Sequence, residues 1–265
     1  MGKLHIVALG SSFAAGPGIE PIINKAAMRS GRNYAHQLAE KLDAELTDLT
    51  ASGATLLNVL DTPQQTVFNK TVLKPQLEQF PANADIVTIT AGGNDLGYSG
   101  GQMIDSYISY AGPLKWFINK YRGRPTRDVD ANELSWRFCA VIDRIKSLAP
   151  TAQIYLAEYP AVFGDATTPG QDVPLTAEQV SYYRERARVL NAGYAQAAAA
   201  RPGVELVPVS KASESHEVGA AETWMLGFGF FLPYHGQAPY HPNLAGHTAV
   251  ADMLYERIKA AKHSV

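Results

Sequence analysis

Short apolar runs alternate along this chain with stretches whose apolar residues recur every three or four positions. Leu4–Leu9, Glu45–Leu49, Asp85–Thr90, Gln153–Ala157 and Val204–Val209 have the length and composition of strands buried in a sheet. Between them, Asn132–Leu148 places Leu134, Phe138, Val141, Ile145 and Leu148 on one helical face. Thr176 and Gln179 form a capping-box pair ahead of a second helical stripe of Val180, Tyr183, Ala187, Leu190 and Tyr194, which Pro202-Gly203 ends. A last helix follows Pro242 and reaches about Ala261, with Val250, Leu254 and Ile258 facing inward. This alternation predicts an α/β fold: a five-stranded parallel sheet covered by helices on both faces.

Two segments break the alternation. Residues 97–130 hold Tyr98, Tyr107, Tyr110, Trp116, Phe117 and Tyr121 among several glycines, and residues 222–240 hold Trp224, Met225, Leu226, Phe228, Phe230, Phe231 and Tyr234. Both read as loop insertions in a single domain covering residues 1–265. They are expected near the carboxyl ends of the strands, the edge at which open α/β sheets bind ligands.

Composition narrows the function by exclusion. The 265 residues suffice for one substantial core, and 46% hydrophobic with 18% charged residues is an ordinary globular balance. A formal net charge of -2 offers no basic surface for nucleic acid. The single cysteine, Cys139, rules out an intramolecular disulfide and falls within the predicted amphipathic helix, where it reads as a small buried hydrophobe. No run approaches the length of a membrane span. Strand residues begin at about position 4, which leaves no visible signal peptide, so a cytoplasmic location is expected; a secreted protein already cut from its leader would read the same.

The chemistry sits in four blocks, each at a predicted turn. Gly10-Ser11-Ser12 follows the first strand, where a hydroxyl among Ala14, Ala15, Gly16 and Gly18 is exposed at a sharp turn. Ser52-Gly53-Ala54 and Gly92-Gly93-Asn94-Asp95 follow the second and third strands, and Tyr240-His241-Pro242 precedes the last helix. A serine hydroxyl needs a base within hydrogen-bond reach, and His241 is the candidate. The first loop lacks the glycine spacing of a dinucleotide or phosphate cradle, and the histidines lack zinc-ligand spacing, so neither cofactor nor metal is expected.

Taken in order, these blocks resemble the SGNH (GDSL-type) hydrolases. The resemblance spans nearly the whole chain and implies a flavodoxin-like α/β/α fold and hydrolysis of esters, including acyl groups on lipids and sugars. It aligns Ser12 with the nucleophile, His241 with the base, and Ser12, Gly53 and Asn94 with the oxyanion-binding groups. The expected partner is a small-molecule ester. The aromatic loops and the small residues near Ser12 favour a short or medium acyl chain or an aromatic ester, and the machinery of the family also handles acetyl groups on sugars. An acyltransferase using the same nucleophile, or a silent binding protein of the same fold, are the alternatives.

The chain departs from the family pattern twice. Ser11 replaces the aspartate of the nucleophile block, with the expected role of a cap or a hydroxyl bonded to backbone. Ala238 stands where the family has the acid that orients the histidine. A backbone carbonyl near Ala238 is the expected substitute, with Asp95 and Glu222 as carboxylates that another loop would have to supply. His247 is a rival base, better read as a packing or capping residue.

Overall fold

The computed structural model describes residues 2–66, 71–111, 114, 128–229 and 238–262. Five strands form its central sheet: β1 (His5–Gly10), β2 (Glu45–Asp48), β3 (Ile86–Thr90), β4 (Gln153–Ala157) and β5 (Val204–Val207). They lie in the order β2-β1-β3-β4-β5, and every pairing is parallel. The order reverses between β1 and β3, which makes the carboxyl ends of those strands the switch point where doubly wound sheets open a ligand crevice.

Alternate residues of each strand feed two cores. Val7, Leu9, Val87, Ile89, Ile154 and Leu156 face α3 (Leu56–Leu60), α5 (Ala131–Leu148) and α6 (Ala177–Ala200). Ile6, Ala8, Ile86, Tyr155, Ala157 and Val207 face α2 (Tyr34–Leu42) and α8 (Leu244–Lys262). The result is a three-layer α/β/α sandwich. On α5, Cys139 is buried, as expected of a small hydrophobe in that helix.

Local signals explain most element ends. Thr176 and Gln179 make both bonds of the capping box at the start of α6. Thr55 and Asn58 do the same for α3, and the Asn33 side chain accepts the N–H groups of Ala35 and His36 at the start of α2. The expected strand Val204–Val209 is shorter than its apolar run. Pro208 has no N–H for a ladder, so β5 stops at Val207 and the short helix α7 (Val209–Ala212) follows.

The larger departure lies in the first expected insertion. Tyr98–Ser109 is a helix, α4, despite Gly100 and Gly101. Its tertiary contacts outweigh the low helix propensity of glycine. The Tyr98 ring packs edge-on against Tyr183, and the Tyr183 hydroxyl donates to Asp105 at 2.6 Å. Trp116, Phe117, Tyr121, Phe230, Phe231 and Tyr234 lie outside the described residues. No described helix is long and apolar enough to cross a membrane.

Candidate active site

Ser12 opens α1 (Ser12–Ala15), immediately past β1 and Ser11. The approach to it is tight. Gly10 has φ +147°, and a Cβ there would lie 2.2 Å from the Thr90 carbonyl oxygen, so only glycine lets β1 and β3 converge at this point. The Gln76 side chain pins the Gly10 backbone, while the Ser11 N–H bonds the Thr90 carbonyl at 2.9 Å. Ser11 makes neither of its expected contacts: its side chain forms no cap bond, and its hydroxyl pairs with the phenol of Tyr159 rather than with backbone. The tertiary partner outcompetes the local one because both groups are buried and each needs a hydrogen bond.

The second and third blocks meet beside this helix. Gly53 has φ +87°, in a turn closed by the Ala54 N–H on the Ala51 carbonyl at 3.1 Å. The Asn94 Nδ2 donates to the Ala54 carbonyl at 2.9 Å, which ties the two loops together and leaves its second amide hydrogen uncommitted to that bond. The neighbouring Asp95 points away. It accepts the Leu56 N–H at 2.9 Å and the Arg137 guanidinium at 2.7 Å, fastening α3 to α5. Burial raises the Asp95 carboxyl pKa, against the pull of the Leu56 N–H and Arg137.

His241 arrives from the far end of the chain. Its Nε2 lies 2.8 Å from the Ser12 hydroxyl, and its Nδ1 lies 2.8 Å from the Pro239 carbonyl. The carbonyl expected near Ala238 thus belongs to Pro239, one residue later. Neither Asp95 nor Glu222 holds the ring. Tyr240 explains the geometry: its φ of 61° folds the chain back so that a carbonyl two residues upstream meets the imidazole. A left-handed tyrosine is uncommon and must be held from outside. The Tyr240 hydroxyl hydrogen-bonds Ser106 at 2.6 Å, and its N–H and the His241 carbonyl both pair with Leu226 at 2.9 Å.

Burial lowers the His241 pKa from 6.5 to about 4, opposed by its bond to Pro239. The ring is therefore neutral at pH 7, with Nδ1–H donating to Pro239 and the Nε2 lone pair facing Ser12. His247 sits one turn into α8 and makes no hydrogen bond with the Ser12 hydroxyl. Its Nδ1 accepts the Tyr34 N–H at 3.1 Å, so it packs and caps α2, and burial followed by the nearby His241 lowers its pKa to about 3.

Ser12, Gly53, Asn94 and His241 share the wall of one cavity of about 430 Å³. Met103 and Tyr107 of α4 and Met28, between the paired short strands Ile22–Asn24 and Arg29–Ser30, form apolar parts of that wall, and Lys25 also lines it. The volume lies within the range, roughly 300–1,000 Å³, of small-molecule sites. Gln76, Tyr159 and Pro239 also shape the site from outside the four blocks, and of these only Pro239 adjoins one, next to Tyr240.

A parallel sheet in this order, with these four residues gathered at its switch point, is the architecture of an SGNH-type α/β/α hydrolase. The sequence profile of the GDSL-like lipase/acylhydrolase family matches residues 8–249, and the chain belongs to that family. It is 29% identical over 266 residues to Lipase 2 of Streptomyces coelicolor, covering 94% of this chain and 84% of that protein. Its fold is similar to phospholipase A1 from Streptomyces albidoflavus, with a TM-score of 0.72, 20% identity and coverage of 97% and 100% of the two chains. It is also similar to an extracellular lipase from Streptomyces rimosus, with a TM-score of 0.70, 23% identity and coverage of 94% and 98%. The protein is an enzyme of the lipase and esterase type.

Proposed function

We propose that this protein hydrolyses carboxylic esters through an acyl-Ser12 intermediate. The observation that carries this reading is the 2.8 Å contact between the Ser12 hydroxyl and the His241 Nε2. His241 takes the Ser12 proton as the hydroxyl attacks the ester carbonyl, then returns it to the departing alcohol. The resulting imidazolium keeps its Nδ1–H on the Pro239 carbonyl, which makes the apparatus a Ser–His dyad oriented by main chain. The same base then activates water, which attacks the acyl-serine and releases the acid.

The oxyanion formed in each attack needs donors already in place. Ser12 is the first residue of α1, so its N–H has no carbonyl to bond within the helix. The Gly53 N–H and the second hydrogen of the Asn94 amide complete the set, on the wall of the same cavity. The cavity's volume and its methionine and tyrosine walls favour short or medium acyl chains, acetyl included, over long ones.

The test is a series of p-nitrophenyl esters of increasing chain length, run with parent protein and Ser12→Ala, alongside labelling with a fluorophosphonate probe. Hydrolysis that vanishes in Ser12→Ala, with label on Ser12 of the parent, is expected. Folded parent protein that cleaves no ester and takes no label would remove the reading. Added alcohol acceptors separate hydrolysis from acyl transfer by the product ratio.

A further inference from the structure

Ser11 occupies the place of the family's aspartate and is fully buried. Its hydroxyl meets the phenol of Tyr159, a residue 148 positions later that follows β4. Tyr159 is only 4% exposed. Burial pushes its phenol well above the ordinary value, against the Ser11 hydroxyl and the Gly93 N–H, so the phenol keeps its proton and remains a donor. A carboxylate at position 11 would be a buried charge requiring compensation, whereas two neutral hydroxyls satisfy each other.

The Tyr159 ring makes two further contacts. It stacks on Phe13 with ring centroids 3.9 Å apart and planes 14° from parallel. It also fills the space beside Gly93, where a Cβ would lie 2.6 Å from its Cε2. Phe13 in turn packs on the His241 imidazole at 5.0 Å between centroids. One side chain thereby touches the residue before Ser12, the residue before Asn94, and the ring that lies against His241. Tyr159 is absent from the wall of the catalytic cavity, so it acts through these neighbours and not on substrate.

We propose that Tyr159 is a positioning residue which, with Ser11, sets the spacing of Ser12, Asn94 and His241; the inference rests on the ester-hydrolase reading above. Its contacts span all three groups whose relative placement attack on a carbonyl demands, and small misplacements of such groups are costly.

Tyr159→Phe removes only the phenol oxygen and Ser11→Ala only its partner, and both are combined in a double variant. Hydrolysis of p-nitrophenyl acetate and the rate of fluorophosphonate labelling are measured per folded molecule. For Tyr159→Phe the expected result is a fall in kcat of roughly 10- to 100-fold, KM within about twofold, and a matching fall in labelling rate. Ser11→Ala should behave alike, and the double variant should be no slower than the slower single, because the pair acts as a unit. Parent-like kcat and labelling in Tyr159→Phe, losses that multiply in the double variant, or a loss confined to thermal stability would each overturn the proposal. A parent protein unlabelled at Ser12 would defeat the ester-hydrolase reading itself and take this inference with it.

Discussion

Gln76 clamps Gly10 with both ends of its amide: Oε1 accepts the Gly10 N–H at 2.9 Å, and Nε2 donates to the Gly10 carbonyl at 2.8 Å. Gln76 is buried, and the clamp sits two residues before Ser12. In Gln76→Leu the Gly10 carbonyl retains the Ala51 N–H at 3.1 Å, but the Gly10 N–H loses its partner. An unpartnered buried donor costs about 1–3 kcal/mol, so chemical denaturation should show a loss of that size. A folded variant as stable as the parent would contradict the role given to this contact.

The second expectation concerns pH and rate. Protonated His241 cannot accept the Ser12 proton, so kcat/KM falls as pH drops through the folded-state pKa. Burial holds that value at about 4, below the ordinary 6.5. Activity should therefore persist through pH 6 and 5, where a solvated histidine would be largely protonated. A pH profile of kcat/KM checks this, and half-loss near 6.5 would refute a buried base.

Stability carries its own pH signature. Above pH 6.5 both histidines are neutral whether the chain is folded or not, and they contribute no slope. Below it the unfolded chain takes up protons that the fold refuses until about 4 at His241 and about 3 at His247. Folding stability should fall across that window by up to about 1.4 kcal/mol per pH unit for each histidine. His247→Asn keeps an acceptor for the Tyr34 N–H and removes one proton from the balance. Urea unfolding between pH 7 and 4.5 should show a shallower slope in that variant than in the parent; equal slopes would count against a neutral buried His247.

Asn94 offers a test of the donor set. Asn94→Ala deletes the side-chain amide that leans on the Ala54 carbonyl and faces the cavity. Removing one preorganised donor of this kind costs about 100- to 1,000-fold in kcat. Steady-state kinetics should place the loss in kcat and leave KM nearly unchanged. A change in KM alone would make Asn94 a binding residue instead.

The readable parts of this chain are those in which local pattern and global fold agree. Gln153–Ala157 is a strand from end to end because it is a short apolar run in the interior of a parallel sheet. Ser12, Gly53, Asn94 and His241 stand out because each lies within a few residues of a strand end or a helix start, in an unusual cluster of small and polar residues, and the structure gathers all four on one cavity. Helix α4 was hidden by Gly100 and Gly101, since its stability comes from Tyr183 and other distant partners. Gln76 and Tyr159 left no trace either: their bonds to Gly10 and Ser11 span 66 and 148 positions, and no periodicity records such a pairing. The carbonyl that meets His241 was legible only to within a residue, because a single φ at Tyr240 decides which peptide faces the ring.

The acceptor for Nδ1–H is a peptide group, and every residue type brings one. A carboxylate in that role can be erased by one codon change, whereas the Pro239 carbonyl oxygen, being main chain, survives any replacement of the Pro239 side chain. What mutation can alter is the path of the main chain. The vulnerable point for the orientation of the His241 ring is thus displaced onto Tyr240, where the twist is stored, and substitutions that relax this twist should be tolerated least.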